Sequence, residues 1–89
     1  MTLLETLKTK TTTILTAIEN GATVAEASEL TRETFWEYRW SEFYIGAIHV
    51  SYFLRETIEA VVLRDKTIKT MVKHLNRFNA VLDHCAARA

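Results

Sequence analysis

DKTIKTMVKHLNRFNAVLDHCAA, residues 65–87, is the stretch that decides the fold. Ile68, Met71, Leu75, Phe78, Leu82 and Cys85 recur in steps of 3, 4, 3, 4 and 3. A helix turns by about 100° per residue, so these side chains share one face, the heptad-like seam of a helix packed on other helices. Lys66, Lys69, Lys73 and Arg77 step by 3, 4 and 4 on the opposite side, and His84 continues that band. The spacing predicts a helix from an Asp65 N-cap to about Ala87.

Upstream, Leu4, Leu7, Thr11, Ile14 and Ile18 mark one face of a first helix over Leu3–Glu19. Thr2 with Glu5 has the capping-box spacing, and Asn20-Gly21 supplies a left-handed stop. The β-branched run Thr11-Thr12-Thr13 lowers intrinsic propensity, so packing must hold that part of the helix. Thr23 with Glu26 repeats the capping box. From there to Leu63 only Gly46 interrupts, and the chain contains no proline. An unbroken helix of roughly 40 residues would reach about 60 Å, long for so small a globule. Either it breaks near Leu30–Glu33 or Trp40–Ser41, or it stays whole and a second subunit covers it. The expected fold is all-α: one helical domain over residues 1–89, a small bundle of three to four helices completed by homodimerisation. Two glycines and no proline in 89 residues are too few turn formers for most β-rich folds.

Charge is balanced, with eleven Lys+Arg and eleven Asp+Glu, which is not the profile of a nonspecific nucleic-acid binder. It is unevenly placed. Residues 23–46 carry five glutamates against two arginines, and residues 66–89 carry five basic residues against Asp83. Glu26, Glu29, Glu33 and Glu37 form an acidic face with the same 3, 4, 4 steps as the basic face. Both faces read first as the solvated sides of amphipathic helices. They also suit mutual recognition, within the chain or between copies, which would set register more than stability.

Phe35, Trp36, Tyr38, Trp40, Phe43 and Tyr44 crowd into ten residues, with Tyr52 and Phe53 following. On a continuous helix they would point in nearly every direction, so a single neighbour cannot cover them. Trp36, Tyr38, Arg39, Trp40, Phe43 and Tyr44 are therefore the candidate protein interface, because Trp, Tyr and Arg dominate binding hot spots. Arg39 suits stacking on a partner's ring or an ion pair with a nearby glutamate. Glu42 and His49, seven residues apart, would share a helical face as a polar spot in that interface. No catalytic constellation, glycine-rich phosphate loop or metal-ligand spacing is present, so no enzyme, metal or cofactor is expected. His84-Cys85 diverge by about 100° on a helix and make a poor chelate; Cys85 continues the apolar seam.

TVAEASELTRETFWEYRW (Thr23–Trp40) resembles a helix-turn-helix only loosely. Glu29 stands where the turn favours glycine, and Glu33 and Glu37 would repel phosphate. The apolar segment Phe43–Leu54 is too short to cross a bilayer. The N-terminus lacks the layout of a secretory signal, and the one cysteine fits a reducing compartment, so the cytoplasm of a cell or infected host is expected. The resulting expectation is a non-enzymatic protein-interaction module. It would bind itself as a dimer and an unidentified protein, in the manner of an adaptor, inhibitor or accessory protein of bacteria or phages. A nucleic-acid-binding regulator acting through Lys66, Lys69, Lys73 and Arg77 is the alternative.

Overall fold

Two capping boxes start the first two helices. The structure, a computed structural model, describes residues 2–88. Helix α1 spans Leu3–Glu19, with the Glu5 amide donating to Thr2 Oγ1 at 3.1 Å and the Thr2 amide donating back to Glu5 Oε1 at 3.3 Å. Its end is a Schellman motif: the Gly21 amide donates to Ile18 and the Ala22 amide to Ala17. Gly21 sits at φ +100, where a side chain would be strained. Helix α2, Val24–Phe35, opens on Thr23 and Glu26 in the same way. The β-branched run is accommodated because Thr11 is buried with its hydroxyl donating to the Leu7 carbonyl at 2.8 Å. Thr31 and Thr57 bond back one turn likewise, so none of these buried hydroxyls is left unpaired.

The middle of the chain is not one helix. Beyond Phe35 it tightens into a 3-10 turn over Trp36–Tyr38 and then leaves helical geometry altogether until His49. The α-helix ends at Phe35 and the 3-10 turn at Tyr38, a little ahead of the expected break near Trp40–Ser41, and α2 runs intact through Leu30–Glu33. Within the loop, Ile45 and Ile48 exchange backbone bonds at 3.0 and 3.2 Å around Gly46-Ala47. Gly46 holds φ +62, the first central position that a type II′ turn reserves for glycine. Helix α3 covers Val50–Ile58 and widens into a π-helical turn over Glu59–Arg64. The Asp65 amide closes that turn on the Ala60 carbonyl at 2.7 Å.

Helix α4, Ile68–Arg88, begins two residues later than an Asp65 cap would place it. Asp65 is not its cap. Thr67 takes that role, accepting from the Thr70 amide at 3.2 Å, while the Asp65 carboxylate accepts from His74 Nδ1 at 2.8 Å. Lys66 therefore precedes the helix instead of opening its basic face.

The seam forms as the spacing required. Met71, Leu75, Phe78, Leu82 and Cys85 of α4 are buried, with Ile68 half-buried at the end. They meet Leu7 and Ile14 of α1, Ala27 and Phe35 of α2, and Val50, Leu54 and Ile58 of α3. Burying each of the larger side chains stabilises by about 1.5–3 kcal/mol. The Cα radius of gyration is 12.3 Å, against roughly 12 Å for a compact chain of this length. The core is thus closed by this chain's own helices. Among the described residues no helix is long and apolar enough to cross a membrane.

Candidate functional site

The aromatic cluster is not spread around a helix, because the helix ends at Phe35. Phe35 itself is fully buried and meets Phe78 edge-on, with centroids 6.3 Å apart. Tyr38 packs on Phe35 at 6.4 Å and on Phe43 at 6.2 Å, again edge-on. This chain of rings carries the core outward into the loop. Tyr38 and Phe43, two of the six expected interface residues, are half-buried on it and act as its footing.

Above that footing stand two stacks. In the first, the Arg39 guanidinium lies between two indoles, 3.7 Å from the Trp36 centroid and 4.5 Å from that of Trp40. Arg32 caps the Trp36 ring at 4.8 Å. Among the described residues Arg39 makes no glutamate pair, and the rings it stacks on belong to its own chain. Its Nε is shut from solvent without a hydrogen-bond partner, so the rings hold the group. Trp36 is half-buried, whereas Trp40 remains 76% exposed.

In the second stack, Tyr44 lies parallel on His49 with centroids 4.6 Å apart and 18° between planes, and Tyr52 is tilted against His49 at 6.5 Å. Tyr44 and Tyr52 are 59% and 50% exposed. His49 Nε2 and Glu42 Oε2 are 2.6 Å apart, and the Arg55 guanidinium donates to the other Glu42 oxygen at 3.3 Å. The hydrogen bond from His49, with Arg55 adding to it, holds the Glu42 carboxyl below the usual carboxylate range. Glu42 and His49 meet as expected, but not as helical neighbours: Glu42 is in the loop and His49 at the mouth of α3, brought together by the turn at Gly46.

Helix α3 pins this loop. Ser51, almost fully buried, accepts from the Phe43 amide at 3.2 Å and returns its own amide to the Phe43 carbonyl at 3.3 Å. Arg55 Nε donates to the Arg39 carbonyl at 2.9 Å. Ser51 and Arg55 give no signal in the sequence, since their partners lie 8 and 16 residues away, whereas Arg32 sits one helical turn before Trp36, a spacing that could have shown the contact.

The charged faces do not meet. Glu26, Glu29, Glu33 and Glu37 are all exposed, as are Lys66, Lys69, Lys73 and Arg77. Among the described residues no ion pair joins the two sets. Among the described residues the acidic face has one ion pair, Glu29 with Arg32 at 3.8 Å, and Lys8 of α1 pairs with Asp83 of α4. The hydrogen bonds from Thr23 pull the Glu26 carboxyl below its ordinary value. Cys85 is buried in the seam, and desolvation pushes its thiol up, away from the reactive thiolate. Among the described residues no three His, Cys, Asp or Glu side chains converge as metal ligands would.

No protein family, curated protein or solved structure matches this chain.

Proposed function

We propose that the chain is a non-enzymatic protein-interaction module that pairs with a second copy of itself through the Trp40–Tyr44 platform. The dimer would act as an adaptor, inhibitor or accessory protein by occupying the surface of another protein. The observation that carries this reading is the pair of stacks. Trp40, Tyr44 and Tyr52 hold large apolar areas in water, yet their neighbours already fix them in place through Arg39 and His49. Pre-ordered aromatic rings lose little entropy on binding, and Trp, Tyr and Arg are the residue types that dominate contact energies.

Charge complementarity favours a second copy as the first occupant. The acidic face and the basic face carry opposite sign, and among the described residues neither is neutralised by the other within the chain. In a two-fold dimer each such contact occurs twice. Exposed pairs contribute only about 0–1 kcal/mol each, so they steer encounter while the rings supply the affinity. Since the core is already closed, dimerisation adds an interface to a folded monomer instead of completing one.

Sedimentation of Trp40→Ala and Tyr44→Ala proteins at micromolar concentration tests the reading. Both variants should run as monomers with unchanged helix content. Variants that keep the dimer mass would overturn it.

The basic face supports a second reading, nucleic-acid binding. Lys66, Lys69, Lys73 and Arg77 are exposed, with no carboxylate within ion-pair distance among the described residues. Four phosphate contacts predict a loss of roughly 100-fold in duplex affinity between about 50 and 200 mM salt. No binding at the lower salt would end this reading.

A further inference from the structure

The π-helical turn contributes to a second site, which borders the aromatic platform at Tyr52 through Phe53 and Glu56. A π turn is wider than an α turn and tends to occur where a helix serves a function. Here it ends on Arg64, and directly after it the nearly buried Asp65 carboxylate ties the turn to α4 through His74. Between α3, with its π-helical turn, and α4 lies a cleft of about 90 Å³. Arg64, His74 and Arg77 supply its polar wall, and Phe53, Phe78 and Val81 its apolar one.

The charges of this cleft are unspent. Neither Arg64 nor Arg77 has a carboxylate within 4 Å among the described residues. Asp65 is engaged by His74, and that contact uses Nδ1, leaving Nε2 as the ring nitrogen free for a ligand. Glu56 also borders the cleft and accepts from the Tyr52 hydroxyl at 3.2 Å. Two guanidinium groups against that one carboxylate favour a singly charged anion over a dianion. Guanidinium groups match a carboxylate in shape as well as charge.

We propose that this cleft binds a small monocarboxylate, its head group held by Arg64 and Arg77 and its short apolar tail laid on Phe53, Phe78 and Val81. The size sets the tail. The cleft is open to solvent on one side, and its apolar wall has room for a tail of about three or four carbons. Thr57, on the same wall, is already bonded to the Phe53 carbonyl and asks nothing of the ligand.

Butyrate is the probe, followed by amide chemical shifts of the full chain at neutral pH. Residues of the cleft should shift together and saturate, with a Kd of about 1 mM. Arg64→Gln and Arg77→Gln should each weaken binding about tenfold, because each removes a charged hydrogen-bond donor. Arg88→Gln, which removes the same charge at the far end of α4, should leave affinity unchanged. Inorganic phosphate and butanol, which lack the tail or the charge, should bind at least about tenfold more weakly than butyrate. All the arginines tested are exposed, so the variants should keep the wild-type melting temperature. Absence of saturable shifts up to about 50 mM butyrate would overturn the proposal. So would phosphate binding as tightly as butyrate, or Arg88→Gln weakening butyrate as much as Arg77→Gln.

Discussion

Replacing Phe78 by alanine should remove a large part of the stability of the fold. The ring is 1% exposed at the centre of the α4 seam and meets the fully buried Phe35 edge-on at 6.3 Å. Truncating a buried phenylalanine costs about 3–5 kcal/mol, the sum of lost transfer energy and the cavity left behind. A chain of this length has a total stability of roughly 4–13 kcal/mol. The variant should therefore melt about 15–30 °C below wild type, at about 4–8 °C per kcal/mol. Circular dichroism at 222 nm against temperature reads this directly. Phe35→Leu and Phe78→Leu, singly and together, isolate the ring-on-ring contact, which should couple by about 0.5–1.5 kcal/mol. A Phe78→Ala melting shift of less than about 5 °C would refute the packing described above, because no residue at the centre of a closed seam is that cheap to truncate.

The loop and the buried groups give further expectations. Ser51→Ala removes the acceptor for the Phe43 amide and should cost about 1–2 kcal/mol; hydrogen exchange should show residues 43–48 losing protection while α1 keeps its own. Glu26 and Glu42 have folded-state values held below their ordinary ones, so the stability they confer is present above the unfolded carboxylate value. It is lost as pH falls through the lowered values; urea midpoints from pH 7 to 3 should drop, and the drop should be smaller in Glu42→Gln. Cys85, buried with its thiol value raised, should react with a disulfide reagent only as fast as the chain unfolds; prompt labelling of the native protein would contradict its burial.

Local chemistry made much of this fold readable. The bounds of α1, both capping boxes and the stop at Gly21 rest on residues within a turn of each other, and sequence spacing describes such contacts directly. The α4 seam was equally plain, since six positions in register leave one face to bury. Its start is not legible from spacing, because Asp65 has two competing partners: the helix amides, which are local, and His74, which is nine residues away. The loop after Tyr38 carries no proline and begins without a glycine. What ends the helix there is a set of distant acceptors and donors, Ser51 on Phe43 and Arg55 on the Arg39 carbonyl. The Glu42–His49 contact was anticipated from helical spacing and arises instead from a tight turn. The π-helical turn has no sequence signature at all, so the cleft beside Arg64 could only be found once α3 and α4 were placed together.

Static light scattering of the unmodified chain at about 10 to 500 µM, a range that spans affinities typical of an interface with a few aromatic anchors, is the most direct measurement of whether the exposed platform joins two copies. Twice the chain mass of 10.3 kDa should be reached at the upper concentrations. A mass that stays at that of one chain across the whole range would contradict it.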